Sequence, residues 1–428
     1  MATEGLVRSY GALLIGALVP IYTAAHSSIQ VPKSVKKKWR ELDGKGKRTA
    51  EEKDEEEEET EVERLTTEDA YLFPILGSFV LFGLFLAFKY LDKSFLNRIL
   101  GGYLAIMGTG ALGRTLADVT KQVLGDKRSQ KMDKYNLTLN KNKEEQFKLS
   151  FTRLHIFSCI GALALTFAQQ YTQHWLLSNI LALSFAYSAI SLFYLDSFTT
   201  ASILLAGLFF YDIWWVFGSK AVFGDGADVM VSVAKNFDAP IKIVFPKDLS
   251  AAKDFTLLGL GDIVLPGAFL ALSLRFDYHQ AIKRALSSSK RPPRPTDSFS
   301  KPYFTASFIA YIGGLATTIL VMHTFKAAQP ALLYLSPACI GSVTLLALVR
   351  GESKELWGWE DGEEERKERE RKEKEAETTK KDKEKSGSDA KKRDTEEKSS
   401  GDEISTVETT SIEVDGGRVL RSRTSKTD

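Results

Sequence analysis

Two aspartates lie inside long apolar segments of this sequence and are its strongest candidates for chemistry. Asp212 stands in the run Phe-Phe-Tyr-Asp-Ile-Trp-Trp, and Asp262 stands in Leu-Gly-Leu-Gly-Asp-Ile-Val-Leu-Pro-Gly. Because an ionisable side chain inside a membrane is costly and rare, each is a functional candidate by default. Two neighbouring carboxylates in an apolar site share one proton, so one activates water as a general base and the other donates to the attacked carbonyl. The pair predicts hydrolysis of the aspartic protease type and leaves open which aspartate is the base.

The elements that must position these aspartates are membrane-spanning helices. The chain has 428 residues, of which 44% are hydrophobic and 26% are charged, and the charge is concentrated in loops and in the C-terminal region. Between the charged patches, apolar stretches of about 18 to 22 residues recur, each long enough to cross a hydrocarbon layer of about 30 Å. We predict an all-α polytopic membrane protein with nine transmembrane helices, near residues 6–25, 71–91, 98–117, 151–168, 174–195, 198–218, 255–275, 304–324 and 329–349.

The distribution of lysine and arginine predicts the orientation of these helices, because basic loops remain in the cytosol. Loops 33–48 and 118–149 carry eight basic residues each, and loop 275–302 carries seven. The N-terminus is therefore predicted in the lumen and the C-terminus in the cytosol. Asp212 lies six residues before the end of the sixth span and Asp262 seven residues after the start of the seventh. Both carboxylates are thus expected about 10 Å below the same membrane surface.

The predicted organisation has five parts. These are a first transmembrane helix at 1–31, a charged cytosolic loop at 32–70, helices two to five at 71–197, catalytic helices six to nine at 198–350, and a disordered cytosolic tail at 351–428. Dense mixed charge with few aromatic residues is typical of solvated flexible segments, which explains the loop and tail predictions. Within loop 219–254, the β-branched runs 229–233 and 241–245 predict a small β-hairpin between helices six and seven.

Glycines and a proline surround Asp262. Gly259 is predicted to share its helical face and Gly261 precedes it directly, so another backbone can approach closely. Pro266, four residues after the acid, removes a helical hydrogen bond and loosens the helix. Such glycines also serve ordinary helix packing, and isolated buried acids also serve as hydrogen-bonded links between helices. Equal depth of two acids on adjacent spans favours the functional interpretation.

Other chemical classes lack their characteristic residues. No His-Glu-x-x-His motif, phosphate-binding glycine loop or nucleic-acid motif is present, and the five histidines share no metal-like spacing. Cys159 and Cys339 both lie in apolar segments, which excludes a disulfide scaffold. We predict no metal, no cofactor and no nucleic-acid partner, with the lipid bilayer as the surroundings. Two alternative functions remain open, a cation-coupled transporter and a non-catalytic scaffold for membrane helices.

Three motifs stand out in the second half of the chain: Tyr211-Asp212 in the sixth span, Gly259-Leu260-Gly261-Asp262 in the seventh and Pro330-Ala331-Leu332 at the ninth. Together they resemble the intramembrane aspartyl proteases of the GxGD type, which include presenilin, and most closely the signal peptide peptidase family. The likeness covers residues 198–350. The extracytosolic loop 219–254 favours signal peptide peptidase over presenilin, whose active centre has the opposite orientation.

The resemblance implies a nine-span fold in the endoplasmic reticulum membrane and hydrolysis without metal or cofactor. Its implied substrates are transmembrane helices, namely remnant signal peptides and type II or tail-anchored membrane proteins. A homo-oligomer or quality-control partners in the endoplasmic reticulum are further expectations. The hairpin is expected to offer an edge strand to the unwound substrate. By resemblance, Asp212 and Asp262 are the catalytic pair, Tyr211, Gly259, Leu260 and Gly261 shape the active site, and Pro330, Ala331 and Leu332 position the substrate.

Overall fold

The computed structural model describes most of the chain up to residue 363. The described residues are 2–43, 64–124, 134–141, 144–219, 222, 229, 233, 240–246, 255–325, 329–363, 366, 367 and 371. The chain separates into two units, Met1–Glu365 and Arg366–Asp428. Every helix and strand named below belongs to the first unit.

Helices make up most of the described residues. In chain order they are α1 (Ala2–Ser27), α2 (Lys33–Leu42), α3 (Thr67–Tyr90), α4 (Lys93–Leu124), α5 (Arg153–Thr172), α6 (Trp175–Leu192), α7 (Phe198–Ile213), α8 (Gly261–Ser287), α9 (Pro302–Phe325), α10 (Leu332–Arg350) and α11 (Ser353–Trp357). A π-helical turn, Trp214–Gly218, continues α7.

The positions of the long helices match the predicted spans. Among the described residues, each of the nine predicted segments coincides with one long helix. Six of these helices, α1, α3, α6, α7, α9 and α10, are long and apolar enough to cross a membrane. The prediction of a helical multi-pass membrane protein is therefore confirmed, whereas spans at α4, α5 and α8 stay a prediction.

Local side-chain chemistry fixes where several helices begin and end. Thr66 and Asp69 form a reciprocal capping box at the start of α3. The Ser197 hydroxyl accepts the Thr200 N–H at 3.2 Å and caps α7. Gly351, with φ 69°, ends α10 in the left-handed conformation that glycine adopts without strain. These caps place the starts and ends of helices that flank the site.

The core of the bundle is one buried cluster that joins α1, α6, α7, α8, α9 and α10. Residues 266–278 of α8 are buried without interruption, so α8 is enclosed by the other helices. A Cβ added to Gly267 would lie 2.6 Å from Ile190 Cδ1, which shows how closely α8 and α6 approach. By contrast, α3 exposes large apolar side chains such as Phe79 and Val80. An apolar outward face of this kind is typical of contact with lipid.

Three small sheets connect the helices, each with two strands. In the parallel sheet, β1 (Arg64–Leu65) pairs with β4 (Tyr194–Leu195). In the antiparallel sheets, β2 (Lys134–Lys141) pairs with β3 (Glu144–Thr152), and β5 (Lys242–Pro246) pairs with β6 (Phe255–Gly259). The β2–β3 pair was not predicted, because its sequence was interpreted as a basic loop.

The predicted hairpin between helices six and seven has a different partner strand. The predicted run 241–245 largely coincides with the strand 242–246, but this strand pairs with 255–259. Val229 and Val233 are helical, and 230–232 lie outside the described residues. The prediction that the seventh span starts near 255 is also wrong, because α8 begins at Gly261. Glycine costs about 1 kcal/mol relative to alanine in a helix, so the two glycines of the motif favour an extended chain here.

The segment after α10 is folded against the bundle, although we predicted a disordered tail from residue 351. Within residues 352–363, here called the C-terminal strap, Leu356 is fully buried. The Trp359 ring lies 5.2 Å from Phe276, measured between centroids. The Asp361 carboxylate lies 2.8 Å from Nε of the buried Arg275. The tail prediction is therefore wrong for the strap, and most of the chain beyond it lies outside the described residues.

The predicted charged loop 32–70 is ordered at both of its ends. The helix α2 follows its start, and β1 lies near its end. Val35 of α2 is buried beside Tyr278 and Ile282, and Trp39 Nε1 donates to the Pro292 carbonyl at 2.9 Å. The acidic run 51–63, which carries the prediction of flexibility, lies outside the described residues.

Replacing Arg275 with alanine is expected to release the C-terminal strap. The Arg275 side chain is 3% exposed, and its removal leaves the Asp361 carboxylate in a largely buried place without its partner. Loss of one member of a buried ion pair costs about 3–5 kcal/mol. Thermal unfolding of the purified protein and limited proteolysis after residue 350 would measure the change.

The matched control is Lys283→Ala. Lys283 pairs with Glu355 of the same strap, but both side chains are about half exposed. Hydrogen bonds from Gln280 and Lys283 hold the pKa of the Glu355 carboxyl below its usual range. Exposed pairs contribute only about 0–1 kcal/mol, so this variant should behave nearly as wild type. Equal effects of the two substitutions would contradict a strap held by the buried pair.

Candidate active site

Asp212 lies at the end of α7, where the helix changes its winding. It is the next-to-last residue of α7 and precedes the π-helical turn Trp214–Gly218. Its side chain is buried, with 4% of the residue exposed. Single π-helical turns inside helices occur frequently at functional sites, because they shift the direction of the side chains around them. The sixth predicted span therefore ends in irregular helix directly after its acid.

Asp262 lies at the beginning of α8, directly after the strand β6 and the connecting residue Leu260. It is the second residue of α8 and is partly buried. Its carboxylate is close enough to that of Asp212 for the two charges to interact. The prediction that Asp262 lies seven residues inside a helix is wrong, because the acid follows a strand and is the second residue of α8.

The Pro330-Ala331-Leu332 segment contacts the first of these acids. Pro330, Ala331 and Leu332 are all buried, and α10 begins at Leu332. The backbone N–H of Leu332 lies close to the Asp212 carboxylate. The first N–H groups of a helix have no partner inside the helix and attract anions. The start of α10 therefore lies beside one carboxylate, and the structure brings residues of all three predicted motifs together.

Two of the residues predicted to shape the site, Tyr211 and Leu260, make different contacts. Tyr211 is partly buried and packs beside Gly77 of α3, where an added Cβ would lie 3.6 Å from its ring. Leu260 joins β6 to α8: its N–H donates to Ile241, and its carbonyl accepts the N–H of Val264. Tyr211 therefore faces α3, and Leu260 sets the change from strand to helix.

The two motif glycines do not serve close helix packing. A Cβ on Gly259 would lie 3.5 Å from Asp262 Oδ2, and no described atom lies within 4 Å of a Cβ on Gly261. Gly259 is in a strand, so the expectation that it shares a helical face with Asp262 is wrong. Close approach of helices occurs instead at Gly267 and at Gly314, whose added Cβ would lie 3.3 Å from Leu335 Cα. Among the described residues, Gly261 leaves open space beside the acid.

Two polar residues near the site were not singled out from the sequence. The Asn179 side chain of α6 binds both backbone groups of Val244, donating to its carbonyl at 2.7 Å and accepting its N–H at 2.9 Å. The Tyr311 hydroxyl of α9 donates to the backbone carbonyl of Asp262 at 3.2 Å. The presence of an asparagine inside a predicted span was a signal for the role of Asn179. The proline after Asp262 was a signal that this acid needs an outside donor, which Tyr311 supplies. Within the described residues, no three His, Cys, Asp or Glu side chains cluster around a common point.

The arrangement has the parts that acid–base hydrolysis needs. The Asp212 and Asp262 carboxylates lie near one another, and the Leu332 N–H lies close to the first of them. The Tyr311 hydroxyl donates to the backbone carbonyl of Asp262, and among the described residues the space over Gly261 is open. Carboxylates in such surroundings can exchange a proton with water and with a carbonyl oxygen. The chemistry that this geometry supports is acid–base hydrolysis of a carbonyl compound.

Comparison with known proteins gives the family directly. The family model described as signal peptide peptidase matches residues 56–363. The chain belongs to the signal peptide peptidase family. It is 36% identical to signal peptide peptidase of Homo sapiens, over 84% of this chain and 85% of the human protein. It is 37% identical to signal peptide peptidase of Mus musculus, over 84% of each chain.

A third relative supports the same assignment. The chain is 41% identical to intramembrane protease 2 of Caenorhabditis elegans over 253 residues, which are 56% of this chain and 52% of the nematode protein. The predicted resemblance to the signal peptide peptidase family and the predicted enzyme class, an intramembrane aspartic peptidase, are both confirmed.

Proposed function

We propose that this member of the signal peptide peptidase family hydrolyses peptide bonds inside transmembrane helices, with Asp212 and Asp262 as the catalytic pair. The observation that supports the proposal is the convergence of three segments: the Leu332 N–H lies close to the Asp212 carboxylate, which in turn lies near Asp262. Remnant signal peptides and type II or tail-anchored membrane proteins are the proposed substrates. The family name and the apolar surroundings of the pair support this choice.

The proposed reaction proceeds by attack of water on a substrate carbonyl. One carboxylate of the pair takes a proton from the water while its protonated partner donates to the carbonyl oxygen. Within this scheme Leu332 orients Asp212, and Pro330 and Ala331 place the start of α10 where that N–H is available. A helical substrate hides its carbonyls in hydrogen bonds between residues four apart, so it must unwind before water can attack.

The strand β6 offers the unwound substrate a place to bind. In an antiparallel pair, opposite residues alternate between bonded and non-bonded positions. The Leu260 N–H donates to Ile241 at 3.0 Å, so the backbone groups of Thr256 and Leu258 face β5, and those of Leu257 and Gly259 face outward. Among the described strands, none pairs with that outer side.

Two further contacts support an added strand on β6. The outer side of β5 is already bound by Asn179 at Val244, so a substrate strand has the β6 side available. Gly259 lies next to the Asp262 carboxylate, since a Cβ placed on this glycine would be 3.5 Å from Oδ2. A strand paired with Gly259 would therefore carry its peptide groups to the acid.

Replacing Leu257 with proline is expected to lower cleavage about tenfold, which corresponds to one backbone hydrogen bond to the substrate. Proline at position 257 removes the outward N–H. A strand tolerates proline where the N–H faces away from the paired strand. The rate of cleavage of a signal-peptide reporter would be measured for purified protein. Leu257→Ala keeps the N–H and shortens the same exposed side chain, so it should cleave at nearly the wild-type rate. Equal losses in both variants would show that only the side chain matters.

The finer points of topology and location belong to the same proposal. We place nine spans in the endoplasmic reticulum membrane, with the N-terminus luminal and the C-terminus cytosolic. The basic loops at 33–48, 118–149 and 275–302 support this orientation. A homo-oligomer or partners in quality control are compatible with the exposed apolar surfaces of α3 and α5. Cysteine labelling from each side of sealed microsomes would test the orientation.

The function is tested by reconstituting the purified protein in liposomes with a signal-peptide reporter helix. We expect cleavage at the same rate with and without a metal chelator, and no cation flux coupled to the reporter. A cation-coupled transporter would show flux and leave the reporter intact. A scaffold would retain the reporter uncut.

A further inference from the structure

Pro266 deprives the backbone carbonyl of Asp262 of its usual hydrogen bond. In an α-helix the carbonyl of one residue accepts the N–H of the residue four positions later. For Asp262 that position is Pro266, which lies inside α8 and has no N–H. The proline ring also crowds the carbonyl four residues before it and turns it away from the helix axis. The carbonyl of the acid therefore needs a donor from outside α8.

Tyr311 supplies this donor from the neighbouring helix. Its hydroxyl lies 3.2 Å from the Asp262 carbonyl oxygen, and Tyr311 is fully buried in α9. One turn further along, Gly314 packs against the backbone of Tyr334 and Leu335 in α10. Tyr311 thus stands where α8, α9 and α10 meet, and its position is fixed by the contact that also places the start of α10.

We infer that Tyr311 is a positioning residue for the reaction: it replaces the helical donor that Pro266 removes and so fixes the backbone from which the Asp262 carboxylate projects. The inference rests on the proposed function, because it assumes that Asp262 reacts. Tyr311 lies outside the three motifs and is placed by α9, which contributes none of them. Its hydroxyl contacts backbone, so it acts on the rate through Asp262 and does not touch the reacting atoms.

The test is a double-mutant cycle in the full chain. Tyr311→Phe removes only the hydroxyl and is expected to lower kcat for reporter cleavage about tenfold with little change in KM, because the carboxylate loses its alignment. Pro266→Ala restores an N–H four residues after Asp262. In the Pro266→Ala background, Tyr311→Phe should therefore change kcat by less than about twofold, since the carbonyl then has a donor within its own helix.

Tyr303→Phe is the matched control. Tyr303 is a buried tyrosine on the same helix whose hydroxyl donates to Glu352 at 2.7 Å, far along α9 from the acid. Its substitution removes a hydroxyl of the same kind and should leave kcat within about twofold of wild type. The thermal midpoint of each variant reports whether it is folded. A folding defect caused by lost packing would appear equally with proline or alanine at position 266.

The outcomes separate this inference from the proposed function. A tenfold loss that is abolished by Pro266→Ala supports the positioning role. Full activity of Tyr311→Phe, or the same loss in both backgrounds, would overturn that role. If either result occurs while Asp262→Asn remains inactive, the catalytic pair stands and only the role of Tyr311 is rejected. Cleavage by Asp262→Asn would instead reject the proposed function.

Discussion

Asparagine at position 212 or 262 is expected to reduce the rate of cleavage of a signal-peptide reporter by a factor of about 10² to 10⁴. The change keeps the size of the side chain and removes its ability to exchange a proton. At position 212 the amide oxygen still faces the nearby Leu332 N–H, so the start of α10 should stay in place. The measurement is the single-turnover rate for purified protein, together with binding of the reporter by crosslinking.

Cleavage and binding together decide between a protease and a scaffold, because a protease loses only cleavage in the variants, whereas a scaffold binds the reporter and leaves it uncut in the wild type as well. The proposed mechanism expects that both asparagine variants still bind the reporter, because the strand β6 and the open space over Gly261 are unchanged. A scaffold would lose nothing on either substitution. Cleavage that persists in either variant would contradict a catalytic pair formed by Asp212 and Asp262.

Asp277→Asn is the matched control for these variants. Asp277 is also a buried acid of α8, with 2% of the residue exposed. It accepts the N–H groups of Tyr303 and Phe304 at 3.2 and 2.8 Å and so caps the start of α9. Its substitution is expected to lower the thermal midpoint while the folded protein keeps its rate of cleavage. Loss of the rate in this variant would mean that any buried acid of α8 is required.

Valine in place of Gly314 is expected to lower cleavage about 100-fold. A Cβ at this position would lie 3.1 Å from Leu335 Cδ2 and 3.3 Å from the Tyr334 carbonyl oxygen. The larger side chain must push α10 away from α9 near its start, where the Leu332 N–H lies close to Asp212. A displacement of about 1 Å in catalytic groups can cost about 10²-fold in rate. Overpacking of this kind also costs about 1–3 kcal/mol of stability.

The adjacent glycine provides the control. Gly313 is exposed, and no described atom lies within 4 Å of a Cβ placed on it. Gly313→Val adds the same side chain to the same helix, but on its exposed side. Its rate of cleavage and its thermal midpoint should therefore stay near those of the wild type. The two rates are measured at a temperature at which both variants are folded. Equal losses in the two variants would indicate that helix propensity, and not the α9–α10 contact, is responsible.

Hydropathy was sufficient to locate the helices but not the backbone around the second acid. The apolar length of a segment decides whether it forms a long helix, so all nine predicted positions carry one in the described residues. The run Phe-Thr-Leu-Leu-Gly at 255–259 is equally compatible with a strand, and its pairing with β5 decides the outcome. We predicted that the seventh span ends at residue 275, so Asp277 was not recognised as a buried acid. It is buried because α8 continues to Ser287.

The aspartates could be selected from the sequence, whereas the groups that hold them could not. Residue type and apolar surroundings are properties of the local sequence, and they singled out Asp212 and Asp262. The groups beside these residues come from elsewhere in the chain: the Leu332 N–H of α10 lies close to Asp212, and the Tyr311 hydroxyl of α9 donates to the Asp262 carbonyl. Such pairings depend on how helices distant in sequence pack together. The strap contact between Arg275 and Asp361 was missed for the same reason.

Attack of water on a peptide bond within an apolar helix, at the Asp212–Asp262 pair, is the central step of the proposed mechanism. Its most direct test is mass spectrometry of the products formed when reconstituted protein acts on a signal-peptide reporter in ¹⁸O-labelled water. We predict a cut inside the apolar segment of the reporter, one ¹⁸O atom in the new C-terminal carboxylate, and no product with Asp262→Asn. An intact reporter, a cut confined to its polar ends, or the same labelled product from the variant would contradict this mechanism.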